Sequence, residues 1–314
     1  WDYRALDAVY KQFQEIRLYY EFSDVDVDRY HIDDQYREVM VSAREMELRN
    51  LPAQSQTFVN KRFKYTHGFG LTLTNVSEFT ENGLPNLLIK DIPPKSAYPS
   101  LEVEQPRIYY GELTRTHVIA NSKEKEFDYP RGEQNAYYRY TGDGGVPISN
   151  IWRKFLFGWK FDGTRLFFSG YATRDSRILF HRQGRDRVKT IAPFLKLDKD
   201  PYIALINGKL VWIIDAYTTS TYYPYSEPFS AAEKFNGSGF ISRSGSGWNL
   251  HGKNYLRNSV KAVVDAYTGK VDLYIFEEDD PVINVWNNIL PGIFKDKSQM
   301  PEEVMRHVRY PADL

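Results

Sequence analysis

The sequence has no cysteine, and this absence excludes three kinds of chemistry at once. Disulfide scaffolds, thiolate metal sites and cysteine nucleophiles all require a side chain that the protein does not have. An excess of charge of one sign is also missing, because 41 basic and 41 acidic side chains cancel. The protein therefore has no overall field that would recruit nucleic acid, and we expect no nucleic-acid partner.

Long apolar runs are absent as well. The longest, 202–206 and 210–214, are separated by polar turn residues and fall far short of the roughly 18 to 20 residues that a membrane-spanning helix needs. The chain begins at Trp1 without a signal-peptide pattern, and a short helix predicted after Pro301 is soon followed by the last residue, Leu314. We interpret both ends as boundaries inside a longer protein.

Sequence motifs of the common enzyme classes are missing. There is no GxSxG, GxGxxG or HExxH pattern, and the six histidines form no pair at metal-ligand spacing. The segment Gly247–Asn254 fits a phosphate-binding loop until its last position, where Asn254 replaces the Ser or Thr that would hold magnesium. It also follows a Gly/Ser-rich stretch instead of a strand, so we interpret it as a surface loop. We expect neither a metal nor a cofactor.

Aromatic residues are abundant, at 16% of the chain with 24 Tyr and 19 Phe. Such residues favour strands, so we predict an α+β fold in which β structure predominates, with antiparallel sheets and a few covering helices. The helices are expected at residues 4–20, at 54–65 and in the basic middle of the chain. Hairpins are expected across Asp33-Asp34, Asn207-Gly208 and Thr268-Gly269.

Two turn-rich stretches, 93–99 and 130–147, are the best internal boundaries. They predict an N-terminal α+β part at 1–130 and a C-terminal α+β part with two hairpins at 148–314, unless the chain forms one continuous domain. Near the start, Asp24, Asp26 and Asp28 imitate a calcium loop, but Arg29 occupies the position that requires glycine. Because valines alternate with the aspartates, we predict a strand with one solvated acidic face.

Two groups of residues are candidates for a site. His67 lies beside two glycines that would let backbone amides approach a ligand, although a tight turn explains these glycines equally well. With Asp215 and Asp265, which follow apolar runs, it forms a set of candidate acid and base groups. Four tyrosines in a stretch rich in hydroxyl groups could bind a sugar or a lipid headgroup, or could simply pack as aromatic core. They are Tyr217, Tyr222, Tyr223 and Tyr225.

A basic stretch from residue 174 to about 191 is predicted to be one long helix. Its cations could lie against anionic lipid headgroups, or could form a solvated or internally paired face. The candidate membrane-facing residues are Arg174, Arg177, Arg182, Arg185 and Arg187.

Several long and unusual strings are spread over the chain. They are Trp1–Arg4, Gln14–Arg17, Asp24–Tyr30, Tyr65–Gly68, Tyr109–Glu112, Asp215–Pro228, Asn254–Lys261 and Met300–Leu314. Together they resemble one family, the uncharacterised protein family 0182 of large bacterial integral membrane proteins, over essentially the whole chain. The resemblance implies a parent protein with several N-terminal transmembrane helices and a long extracytoplasmic soluble region, of which this chain is the front part. No catalytic residues or cofactor are established for this family, so the resemblance gives no functional positions to carry over.

These observations lead to one leading hypothesis and two alternatives. The leading hypothesis is a non-catalytic extracytoplasmic domain, held at the bacterial cell membrane by the missing transmembrane part, that binds an envelope lipid, a glycan or a partner protein. The first alternative is a hydrolase or transferase that acts on lipid or glycan through His67, Asp215 and Asp265. The second is a structural part of a membrane transport assembly, for which a large apolar cavity would be expected.

Overall fold

The computed structural model of the chain describes residues 2–14, 17–132, 134–228 and 252–311. Strand residues outnumber helical residues, 36% against 24%, and the sheets are mainly antiparallel. The predicted α+β fold with predominant β structure is therefore confirmed.

The strands follow one another along the whole chain. In chain order they are β1 Tyr20–Phe22, β2 Asp26–Ile32, β3 Gln35–Met46, β4 Gly68–Phe69, β5 Leu71–Phe79, β6 Pro85–Lys90, β7 Lys95–Ser96, β8 Arg107–Ile108, β9 Val118–Ala120, β10 Glu126–Arg131, β11 Gln134–Tyr138, β12 Val146–Pro147, β13 Arg177–Leu179, β14 Lys196–Leu197, β15 Tyr202–Ile206, β16 Lys209–Ser220, β17 Tyr255–Asp265, β18 Val271–Ile275 and β19 Phe294–Asp296.

The helices are shorter than the sequence predicts. The α-helices are α1 Tyr3–Gln14, α2 Ile151–Phe157, α3 Thr164–Phe168, α4 Gly184–Ile191, α5 Pro281–Ile289 and α6 Glu302–Met305. Single turns of 3₁₀-helix occupy Leu48–Asn50, Ala53–Ser55, Pro99–Leu101 and Lys297–Gln299, and π-helical turns occupy Asn60–Lys64 and Gly158–Asp162.

The chain divides into two compact units. The first consists of Trp1–Arg187, Tyr202–Trp212 and Val264–Lys270, and the second of Val188–Pro201, Ile213–Val263 and Val271–Leu314. The first unit therefore takes in 148–187, which the sequence analysis placed in the C-terminal part. The reason is strand pairing, because β13 pairs with both β9 and β12 and ties this stretch to residues 118–120.

The largest sheet of the first unit has the strand order β1-β3-β5-β6-β7, with β2 also paired to β3. Helix α1 covers it with Leu6 and Tyr10, which pack in a core cluster with Phe22 and Met40. The Tyr10 hydroxyl donates hydrogen bonds to Met40 O at 3.1 Å and to Thr74 Oγ1 at 2.6 Å. The apolar stripe that predicts this helix is therefore buried, although the helix ends at Gln14 and not at residue 20.

The hairpin of β2 and β3 forms as predicted, since Asp33 and Asp34 both have positive φ angles of 49° and 59°. Its solvated acidic face does not form, and that prediction was wrong. Asp26 and Asp28 are only 4% and 6% exposed, whereas Val27 between them is 38% exposed. The Asp26 carboxylate accepts a hydrogen bond from the Ile203 amide at 3.2 Å, and this distant partner satisfies a charge that the local pattern places in water.

A small sheet with the order β12-β13-β9 supports the middle of the first unit. Ile178 of β13 lies opposite Ile119 of β9 and opposite Val146 of β12. Helices α2 and α3, with the π-turn between them, place Leu166 in a core cluster with Ile119 and Ile178.

The second unit contains the strand order β14-β16-β17-β18-β19, in which β18 and β19 pair in parallel. Asp280 caps α5, accepting hydrogen bonds from the Val282 amide at 2.9 Å, from the Tyr255 hydroxyl at 2.7 Å and from Thr218 Oγ1 at 2.5 Å. The cap therefore joins the start of a helix to two strands.

The Asn207-Gly208 hairpin forms with φ angles of 48° and 73°, as predicted. At Thr268-Gly269 only Gly269 has a positive φ angle, of 72°, so the turn is a wider loop. The Asp265 carboxylate closes this loop by accepting hydrogen bonds from the amides of Tyr267 and Thr268, at 2.9 and 2.7 Å.

Glu45 is a buried carboxylate that fixes the segment after β8. It accepts hydrogen bonds from the amides of Glu112 and Leu113, at 2.7 and 3.1 Å, and from Thr114 Oγ1 at 2.8 Å. Gly111 lies directly against it, because a Cβ at this position would lie 2.5 Å from Cδ of Glu45. The close approach of backbone and carboxylate therefore requires glycine.

Gly111→Ala should lower the free energy of unfolding by ~1–3 kcal/mol, since the added methyl group must displace a hydrogen-bonded carboxylate. Gly170→Ala is the matched control, because a Cβ there meets no atom within 4 Å. Urea denaturation of the two variants and the parent chain measures the difference. Equal stability of the two variants would contradict this role of Glu45.

Candidate functional site

A cleft of about 470 Å³ opens in the first unit at the edge of the β12-β13-β9 sheet. Three of its lining residues are arginines and one is an aspartate, so its walls carry an excess of positive charge. We call it the arginine cleft; it is lined by Asn121, Arg139, Tyr140, Thr141, Gly142, Pro147, Arg174, Asp175 and Arg177.

Among the three arginines that line the cleft, Arg177 is held in place by hydrogen bonds to the backbone. Its guanidinium donates hydrogen bonds to the carbonyl oxygens of Asp143, Gly144 and Gly145, at 2.5, 2.6 and 3.1 Å. These bonds tie the turn at 143–145 to β13, beside the cleft. Strand β13 thus positions the Arg177 guanidinium, and the hydrogen bonds of this guanidinium fix the turn at 143–145.

Arg139 and Arg174 are exposed, and within the described part of the chain their guanidiniums form no hydrogen bond or ion pair. Arginine presents five donors in a planar fork that matches phosphate and carboxylate groups. Two such groups at one cleft, beside a third held in place, form a concave cationic surface for an anion.

Asn121 adds a hydrogen-bond acceptor to the cleft. It follows β9 with a φ angle of 55°, and its backbone N–H donates to Glu126 Oε1 at 2.9 Å. Its Nδ2 donates to the carbonyl of Asp175 at 3.2 Å, whereas its Oδ1 is buried and has no hydrogen-bond partner among the described residues. A ligand hydroxyl or N–H group would satisfy that oxygen.

The basic stretch is not one helix, and that prediction was wrong. Arg177 belongs to strand β13, and only Gly184–Ile191 is helical. Arg182 is 3% exposed and donates to the carbonyl oxygens of Tyr109 at 2.6 Å, Thr116 at 3.0 Å and Thr66. Its burial removes it from any surface that could face a membrane.

The other arginines of this stretch differ in their exposure. Arg187 is partly buried, with its guanidinium 4.8 Å from the ring centre of Tyr110, and its Nε donates to Gly269 O at 2.5 Å. Arg185 is also partly buried, and its Nε has no partner within the described ranges. Of the five, only Arg174 is exposed, because pairing of β13 and internal hydrogen bonds take up the side chains that the helical pattern places outside.

His67 lies in a buried polar network of the first unit. It is 0% exposed, with Nδ1 2.9 Å from Thr66 Oγ1 and Nε2 3.2 Å from Asp128 Oδ1. Asp128 also accepts two hydrogen bonds from Arg107, at 2.7 and 2.8 Å. Burial opposes ionisation of Asp128, but the hydrogen bonds from His67 and Arg107 outweigh it and lower its pKa.

Asp215 and Asp265, the other two acid-base candidates, are held in separate networks. Asp215 is 1% exposed in the second unit, where it accepts hydrogen bonds from Lys261 Nζ and from Asn258 Nδ2, the latter at 2.9 Å. Asp265 closes its loop in the first unit. All three candidates thus have structural partners, and none of them lines the arginine cleft.

The candidate tyrosines divide into one core residue and three surface residues. Tyr217 is 0% exposed and donates to Asp198 Oδ2 at 2.5 Å, so it is not available to a ligand at the surface. Tyr222, Tyr223 and Tyr225 are exposed, and the ring of Tyr223 stacks on Tyr255 with 5.4 Å between centroids. Ligand binding by these three stays a prediction.

The loop that resembles a phosphate-binding loop lies mostly outside the described residues, since Gly247–His251 are not among them. Its last residue, Asn254, is a structural clamp. The Asn254 side chain donates to the carbonyl oxygens of Tyr223 and Ser226, at 2.8 and 3.2 Å, and accepts from the Tyr223 amide at 3.0 Å.

Sequence reasoning missed Asn121 and Arg139, because the cleft combines residues from three separate stretches of the chain. Its only signal was the turn-rich stretch 130–147, which marked a boundary in the sequence and forms part of the cleft wall in the structure. Arg174 and Arg177 were found through the basic stretch, although for a different role.

Comparison with known proteins places the whole chain in one group. The family model described as "Uncharacterised protein family (UPF0182)" matches residues 1–314. The chain belongs to this family. Relatives named UPF0182 protein are 49% identical in Trichodesmium erythraeum, 47% in Pelotomaculum thermopropionicum and 46% in a Sulfurovum species, each over 100% of the chain.

The chain spans about a third of the length of these relatives, 34% in the first and 32% in the other two. It is therefore similar to one portion of longer UPF0182 proteins. No solved structure matches the chain. Among the described residues, no helix has both the length and the apolar character needed to span a membrane.

Glu112 is a titratable residue outside the cleft that no sequence pattern identified. Burial raises its pKa to about 9, and the negative charges of Asp24, Glu45 and Asp26 act in the same direction. Its Oε2 has no hydrogen-bond partner in the described chain. The folded protein thus holds a proton on Glu112 that the unfolded chain releases near its ordinary pKa of 4.5.

Glu112 should therefore make stability fall as the pH rises. Because its pKa is higher in the folded state, its contribution is fully present below about 4.5 and is lost as the pH rises towards 9. Glu112→Gln removes this loss, so its stability relative to the parent chain should increase from pH 5 to pH 9. Urea denaturation across this range, with exposed Glu81→Gln as the control, measures the effect. A difference independent of pH would contradict the raised pKa.

Proposed function

We propose that the chain is the extracytoplasmic domain of a membrane protein and that its arginine cleft binds an anionic component of the cell envelope. The ligand class is a sugar that carries phosphate or carboxylate groups. The observation that supports this most directly is that the guanidiniums of Arg139 and Arg174 have no partner among the described residues, beside the anchored Arg177.

The polar groups of the cleft favour a sugar over a simple ion. Asn121 Oδ1 has no donor in the part of the chain that the structure describes, and a ligand hydroxyl would supply one. The exposed Thr141 adds a hydroxyl to the lining, whereas the ring of Tyr140, at the back of the cleft, is only 2% exposed. Amide and hydroxyl groups recognise the hydroxyl groups of a sugar, while the arginines select for negative charge.

The cleft is wide and exposed to solvent, so we expect modest affinity that depends on ionic strength. A hydrogen bond to a charged group contributes about 1.5–3 kcal/mol, which corresponds to roughly a tenfold change in affinity or more. Arg177 is less suitable for a test, because its removal would also release the turn at 143–145.

Isothermal titration calorimetry of the 314-residue chain with glucuronic acid, glucose 6-phosphate and neutral glucose tests the proposal. The anionic sugars should bind more tightly than glucose, and Arg139→Gln with Arg174→Gln should weaken their binding at least tenfold. The matched control is Arg115→Gln with Arg131→Gln, which removes the same charge from exposed arginines outside the cleft. Binding that is equal for glucose, or unchanged in the cleft variant, would rule the proposal out.

The alternative of a hydrolase or transferase has less support. Its candidate base, His67, is fully buried, and both of its ring nitrogens lie within hydrogen-bonding distance of protein groups. A general base must reach a proton of the substrate, directly or through one water molecule. We therefore assign no catalytic step to these residues.

A further inference from the structure

Helices α2 and α3, with the π-turn between them, form a surface that carries many exposed apolar side chains. We call residues 151–168 the aromatic hairpin. Trp152 is 73% exposed, Trp159 81% and Phe168 77%, and Ile151, Phe155 and Leu156 are exposed as well. Scattered apolar residues are normal on a protein surface. Several large ones on one short hairpin instead indicate an interaction surface.

Four rings of the hairpin belong to one continuous cluster. The ring centre of Phe155 lies 6.4 Å from that of Trp159 and 5.9 Å from that of Phe167. Phe167 in turn contacts Phe168 at 5.2 Å. Rings from both helices therefore form one patch.

The inner side of the hairpin is well fixed. Leu166 is 0% exposed, and Phe157 and Phe161 pack with it in the core cluster of the small sheet. Asn150 caps α2 by accepting a hydrogen bond from the Arg153 amide at 2.8 Å. The hairpin thus buries one set of aromatic residues and presents another to its surroundings.

Basic residues lie among the exposed rings. Arg153, Lys160 and Arg165 are exposed, and Lys154 is partly exposed. The only acidic side chain between 151 and 168 is Asp162, which points inward to Arg62 Nε at 3.0 Å and His117 Nε2 at 2.5 Å. The outer face therefore combines aromatic rings with positive charge, and its exposed cations form no ion pair with any residue that the structure describes.

We propose that the aromatic hairpin docks on a membrane surface that contains anionic lipid. Tryptophan and phenylalanine enter the boundary between headgroups and acyl chains, and lysine and arginine bind anionic headgroups. Each cation near such a surface contributes to the attraction, so the positive face and the anionic lipid are complementary in charge. An acidic protein groove would match the cations equally well, but the two exposed tryptophans favour the lipid interface.

This docking does not depend on the arginine cleft. The hairpin uses other side chains, so a sugar-binding defect and a lipid-binding defect can be measured separately. Arg139→Gln with Arg174→Gln should leave lipid binding unchanged within twofold.

Co-sedimentation of the 314-residue chain with vesicles tests the proposal, using phosphatidylcholine alone and phosphatidylcholine with 30% phosphatidylglycerol. We expect binding to the anionic vesicles, together with a blue shift of tryptophan fluorescence. Trp152→Ser with Trp159→Ser should reduce the partition coefficient at least tenfold. Lys160→Gln with Arg165→Gln should reduce binding to anionic vesicles and remove most of the difference between the two lipid compositions.

The matched control replaces two exposed rings elsewhere in the first unit, Tyr36→Ser with Phe79→Ser, and should bind vesicles like the parent chain. Thermal unfolding confirms that each variant is folded. Failure of the parent chain to bind anionic vesicles would overturn the proposal, as would equal binding by the tryptophan variant. A dimer in sedimentation velocity that the tryptophan variant abolishes, without any vesicle binding, would overturn it in favour of self-association.

Discussion

The hydrogen bonds of the buried Arg182 guanidinium are the interaction on which the two proposed binding surfaces of the first unit depend. This guanidinium donates hydrogen bonds to carbonyl oxygens of three separate segments, at Thr66, Tyr109 and Thr116. Burial lowers its pKa to about 10, so it keeps its charge at neutral pH. A buried cation without hydrogen-bond partners would greatly destabilise the folded state. The hydrogen bonds to Arg182 therefore hold these three carbonyl groups close to the end of β13.

This constraint also fixes the small sheet beside it. The segment around Tyr109 and Tyr110 packs on Val118, Ala120 and Leu179 in one core cluster. Glu45 holds the next residues through its hydrogen bonds to the amides of 112 and 113. Two buried charges of opposite sign, each paired mainly with backbone groups, therefore position a region with little regular secondary structure of its own.

The sequence was a good guide where local rules decide the structure and a poor one where distant partners decide it. The turns at Asp33-Asp34 and Asn207-Gly208 depend on residues that tolerate positive φ angles, and both were predicted. The basic helix was not found, because pairing of β13 with β9 and hydrogen bonds from Arg182 to remote carbonyls override the helical pattern. The inward orientation of Asp26 depends on a partner 177 residues away, which no local pattern contains.

The aromatic hairpin packs on one face of the small sheet, and the core cluster that contains Tyr140 of the cleft packs on the other. Side chains alternate along a strand, so Ile119 and Ile178 point to the hairpin core, whereas Val118, Ala120 and Leu179 point to the cluster that contains Tyr140 of the cleft. Arg177 lies opposite Ala120, beside the cleft. A one-residue shift in the pairing of β9 and β13 would exchange these faces and disrupt both surfaces together. The register of three short strands is therefore what both proposed binding surfaces have in common.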